Sequence, residues 1–137
     1  MKTCLIEVVQ NNILTRDEAK ASHFEGLKKC ADSNLSYDLM FINFILLHEG
    51  PNLNGDYFTR DEMLSMWHTF VGKPITWEHG QPYIGYITDA KLVIPNEDGL
   101  DNRWFIECAG IIWKARYPEE AERIQQGAVD GSYKVSM

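Results

Sequence analysis

The run from Tyr37 to His48, YDLMFINFILLH, constrains the fold of this chain more than any other stretch. It is nearly continuous in apolar side chains and lacks the alternation of a strand with one wet face, so it fits a strand covered on both faces. Its length also permits a helix, but the Phe and Ile content favours a sheet. Arg103 to Trp113, RWFIECAGIIW, reads as a second long apolar strand, and Ile84 to Ile94 as a third, with Tyr86 alternating against Ile87.

Between these runs lie helix signals. Thr15 and Glu18 form a capping box, which predicts a helix from about Arg16 toward Cys30, with Gly26 as a weak point. Thr59 and Glu62 form a second one, followed by Met63, Met66, Trp67 and Phe70 at i, i+3, i+4 and i+7, an apolar stripe for the core with His68 off it. Pro118 beside Glu119 and Glu120 opens a third helix, and Gly127 is expected to close it. Leu5 to Val9 reads as a first strand, Glu49 to Tyr57 as a tight Gly, Pro and Asn loop, and Pro95 to Asn102 as a polar hairpin connection. Strands dominate the second half and short loops join them. The expected class is α+β: a mainly antiparallel sheet or partly closed β-barrel with helices packed outside, in one domain spanning residues 1–137.

Several function classes are disfavoured. A net charge of −7, with no block of Lys and Arg, argues against a nucleic-acid binder. Leu39 to Leu47 is too short to span a bilayer, and Glu7 interrupts the N-terminus before a signal-peptide core could form, so no membrane partner is expected. Cys4, Cys30 and Cys108 are odd in number and lack metal-ligand spacing, which suggests reduced thiols in a cytosol-like compartment. Cys108 reads as core packing; a nucleophilic role would need a base beside it. The acids of residues 95–102 lack EF-hand spacing, and no cofactor or metal is expected.

The chemistry centres on GKPITWEHGQPYIGYITD, Gly72 to Asp89. Pro74 starts an extended segment and Gly80 with Pro82 ends it, which places His79 at a strand end, able to reach a cleft. At the other end of the chain, GSYKVSM puts Ser136 on a short alternating segment. A serine needs a base to take its proton before it attacks a carbonyl, and His79 is the best-placed one. The third member of a triad stays open between Asp89 and Glu107, both on strands that could pass near His79, while Glu78 points to the opposite face from its neighbour. A metal hydrolase using His48, Glu49 and His79 is a weaker alternative, since HE followed much later by EH matches no helix-borne ligand pair.

Three stretches taken together resemble the prohead, or capsid maturation, serine proteases of tailed bacteriophages, distant relatives of the herpesvirus assemblins. They are NLNGDYFTRDEM (Asn52 to Met63), GKPITWEHG followed by IGYITDA, and PEEAERIQQGAVDGSYKVSM. The resemblance covers about residue 37 to the end and rests on the order and spacing of the motifs. It implies an assemblin-like fold in which His79 is the general base and Ser136 the nucleophile of an endopeptidase. Its implied partners are phage capsid and scaffold proteins, with a homo-oligomer left open, and its implied place is the procapsid interior or the host cytoplasm. The chain departs from the pattern by stopping one residue after Ser136, where assemblin-like enzymes continue into the part that holds their third triad member. The expectation is therefore either a truncated or processed enzyme or an inactive capsid-associated structural or decoration protein that keeps the fold.

Overall fold

The computed structural model describes residues 6–7, 13–33, 36–51, 56–77, 82–95, 102–130 and 134–135. Its centre is a five-stranded antiparallel sheet in the order β2 (Ile13–Leu14), β3 (Met40–His48), β8 (Phe105–Ile112), β7 (Tyr83–Val93) and β6 (Pro74–Thr76). The three apolar runs are the three central strands, and the apolar residues on both sides of β3 are covered as expected. Phe41 packs under one layer of helices, while Met40 and Phe44 face the other.

On the first face lie α1 (Arg16–Lys20) and α2 (Glu25–Asp32), which bury Ala19, Leu27 and Ala31 against Phe41, Ala109 and Ile111. On the second, α3 (Arg60–Met66) and the 3-10 turn Trp67–Phe70 cover Phe44, Leu47, Ile87, Ile106 and Cys108. α4 (Pro118–Asp130) covers Met40, Ile84 and Ile112 with Ala121. Two ribbons complete the described residues. β1 (Ile6–Glu7) pairs with β9 (Lys134–Val135), and β4 (Gly50–Pro51) pairs with β5 (Tyr57–Phe58), both antiparallel.

Both capping boxes form as the sequence indicates, with Thr15 and Glu18 at α1 and Thr59 and Glu62 at α3. Three expectations are corrected. The sheet is open rather than a partly closed barrel: among the described residues β2 and β6 are its edges, and helices on both faces bury what closure would otherwise cover. The helix expected from Arg16 toward Cys30 is two helices, because the chain turns at Ala21 to Phe24, where the Ser22 hydroxyl accepts from the Phe24 amide at 3.0 Å. Helix α4 runs through Gly127 to Asp130, since a glycine inside a helix costs only about 1 kcal/mol and does not end one alone.

Gly85 faces Ile112 across β7 and β8, and a Cβ there would lie 1.8 Å from the Ile111 carbonyl oxygen. Only glycine lets the two central strands approach this closely. One register shift in the same pair decides which side chains share a face. Ile87 pairs with Gly110 and Asp89 with Ala109, so Thr88 is an extra residue, a β-bulge. The bulge sets Tyr86 and Asp89 on the same side, facing α2, where strict alternation would separate them.

Candidate active site

β6 and β7 form an antiparallel hairpin whose described ends are bonded to each other, the Trp77 amide donating to the Pro82 carbonyl at 3.2 Å. His79 falls in the segment between those ends, residues 78–81, and lies outside the described residues, as does Ser136. The strand preceding Ser136, β9, pairs through β1, which packs beside β3. β8 and β7 lie between β3 and β6 in the sheet order.

The other two candidate residues lie on adjacent central strands, Asp89 on β7 and Glu107 on β8. The sheet brings Asp89 and Glu107 together on the face that α1 and α2 cover: Asp89 is opposite Ala109, and Glu107, two residues back on β8, is opposite Lys91. Such diagonal neighbours stand about 7–8 Å apart. Asp89 lies six positions along β7 from Tyr83 at its hairpin end, a span of about 20 Å at the usual strand rise.

Asp89 is fully engaged there. Its two carboxylate oxygens accept from the Gly26 and Leu27 amides, each at 2.8 Å. These are the second and third residues of α2, whose own N-cap residue, Phe24, has no side-chain acceptor to offer. Glu107 lies 3.8 Å from the imidazole of His23, which is exposed at the turn before α2. Gly26 allows this docking, because a Cβ at that position would lie 2.7 Å from the Thr88 carbonyl oxygen and 2.8 Å from Asp89 Oδ1.

Cys108 is core, as its sequence context suggests. It is wholly buried on β8, and burial, with the charges of Glu107 and Asp89 behind it, pushes its thiol up to about 12, so it carries no thiolate at neutral pH. Glu49, the middle residue of the metal-hydrolase alternative, is also occupied. The Arg60 guanidinium holds it through contacts of 2.9–3.1 Å, and the Trp104 amide donates to it at 2.9 Å. Those hydrogen bonds hold its carboxyl below the usual carboxylate value. His48 packs against Phe105 with the rings tilted by 52° and their centroids 5.6 Å apart. Among the described residues no group of three His, Cys, Asp or Glu is arranged to hold a metal ion, and no helix is long and apolar enough to cross a membrane.

Reading the sequence alone misses three arrangements. One is the cap that Asp89 gives α2, and a second is the Arg60 clamp, with its guanidinium 4.8 Å above the Trp104 ring. The third joins Cys30 to Tyr86: the sulfur lies 3.6 Å from the phenol oxygen, and that contact together with burial raises the phenol to about 12. Each links residues far apart in sequence, and no local pattern announces any of them.

Comparison with protein-family models, with curated proteins and with solved structures returns no match to this chain.

Proposed function

We propose that this chain is a serine endopeptidase of the prohead type, built on an assemblin-like fold and cleaving scaffold and capsid proteins during viral head maturation. The observation that carries the reading is the β6–β7 hairpin. Its closed ends, Trp77 and Pro82, bracket the four residues that include His79, within the motif whose order along the chain resembles the phage proteases. The paired residues on either side fix where the chain enters and leaves that four-residue segment, and chemistry-bearing residues are often carried between rigid strands in this way.

In the proposed reaction His79 removes the Oγ proton of Ser136 as that oxygen attacks the substrate carbonyl carbon. The imidazolium then returns the proton to the leaving amine. Water, deprotonated by the same imidazole, attacks the acyl carbon, and as the ester bond breaks the imidazolium gives that proton to Ser136 Oγ, restoring both residues. A base so positioned contributes about 10²–10⁴-fold to the rate.

A second reading, a catalytically inactive capsid-associated module, is favoured by one observation. The two upstream carboxylates that could orient His79 have other partners: Asp89 caps α2, and Glu107 sits beside His23. Co-expression with phage scaffold and capsid proteins separates the two readings. The enzyme reading expects the scaffold to be cut with the native chain and left whole with Ser136→Ala or His79→Ala. Cutting that persists in Ser136→Ala refutes the assignment of the nucleophile, and an intact scaffold with the native chain favours the structural module.

A further inference from the structure

We propose that the cavity beside the C-terminal end of α2 binds a planar aromatic ligand carrying one anionic group, with its ring against Trp113 and its charge against Arg116. This inference goes beyond the peptidase reading and does not rest on it. The cavity has a volume of about 610 Å³, within the range of roughly 300–1,000 Å³ typical of small-molecule sites. Leu39, Ile111, Tyr86, Trp113 and Tyr117 give it a largely apolar and aromatic lining.

Trp113 leaves β8 at its end and is anchored by its backbone, the amide donating to the Ile84 carbonyl at 2.8 Å. One side of its ring meets Tyr86, with centroids 5.9 Å apart at 42°, and the residue is still 36% exposed. An indole held in place and partly bare offers a stacking surface with little conformational entropy left to lose. Cys30 and Tyr86 both line the cavity, with the sulfur and the phenol oxygen 3.6 Å apart. The Cys30 contact and burial push the phenol's pKa up to about 12, and its protonated hydroxyl can both donate to a ligand and accept from one.

The charges select the ligand's sign and number. Arg116 lines the cavity and makes no ion pair among the described residues, its guanidinium lying 5.8 Å from the Tyr117 ring centroid. On a chain of net charge −7, an anion is repelled in general and held only where a local cation offsets that field. Asp38 lines the same cavity. Its carboxylate opposes a second negative charge, which favours a monoanion over a dianion.

Isothermal titration of the full chain with 2-naphthoate, an aromatic carboxylate, against neutral 2-naphthamide tests this. Saturable one-to-one binding of naphthoate is expected, roughly tenfold to a hundredfold tighter than the amide, the worth of a charge-assisted hydrogen bond. Arg116→Gln should bring naphthoate down to the level of the amide, Asp38→Asn should tighten it, and Trp113→Ala should weaken both compounds. Arg116, Asp38 and Trp113 are exposed side chains whose replacement leaves the buried core intact. Saturating naphthoate should also slow alkylation of Cys30 by iodoacetamide, a readout independent of heat. Absence of saturable binding up to roughly 10 mM, an affinity of only a few kcal/mol, overturns the proposal. So does naphthoate binding that Arg116→Gln leaves unchanged, or a Cys30 alkylation rate that the bound compound does not alter.

Discussion

Asp89 supplies from β7 a cap that α2 lacks in its own sequence, and this fixes what the residue does in the fold. Two hydrogen bonds from backbone amides to a carboxylate at a helix N-terminus combine charge assistance with a favourable helix dipole. Asp89→Ala is expected to destabilise the protein by about 2 kcal/mol, as caps and charged hydrogen bonds do, read as a lower midpoint in urea unfolding; an unchanged midpoint contradicts the capping role. Glu49 gives a prediction in pH. Its folded carboxyl is held below the ordinary value by Arg60, so its contribution to stability is complete above that ordinary value, about 4.5, and is lost as pH falls through the lower folded value. Unfolding midpoints followed downward from pH 5 should therefore drop less steeply in Glu49→Gln than in the native chain, and parallel curves would rule this linkage out. At this scale the sequence is only partly legible. It marks Asp89 as an acid of interest on a strand, but nothing local ties that acid to Gly26, 63 positions away.

At the scale of elements, what can be read from the sequence follows how local the cause is. The two capping boxes are satisfied within three residues, so α1 and α3 begin where the sequence says. Thr59→Ala should cost about 1 kcal/mol in the same unfolding assay, and no loss would show that the packing of Met63 alone holds the helix. The break between α1 and α2 is different, because the new N-terminus is fixed by Asp89 and by the close approach to Thr88. Gly26→Ala gives a test of sign. In an open helix it stabilises by about 1 kcal/mol, but here the added methyl meets backbone oxygen at 2.7 Å, so a net loss of stability is expected. A stabilised variant would mean that α2 does not dock on β7 in this way. The bulge at Thr88 escapes sequence reading for the same reason: it is defined by the partner strand, and β7 alone reads as a regular alternation.

For the whole molecule, the apolar runs located β3, β7 and β8, and the short connections between strands in the second half pointed to antiparallel pairing within an α+β fold. Whether the sheet closes was not legible. The edges are β2, two residues, and β6, three residues, which are too short to carry a periodic signal. The proposed pair is likewise a statement about the whole fold, since Ser136 lies 57 positions along the chain from His79. The described ends of their segments belong to β6, at one edge of the sheet, and to β9, whose partner β1 packs beside β3. The peptidase reading requires the fold to bring the imidazole and the hydroxyl within about 3 Å across that separation. A fluorophosphonate, which forms a covalent ester only with an activated serine, tests this most directly when the adduct is located by peptide mass spectrometry. The account predicts one adduct, on Ser136, forming about 10²–10⁴-fold more slowly in His79→Gln. An adduct on another residue, or one on Ser136 whose rate ignores His79, contradicts it.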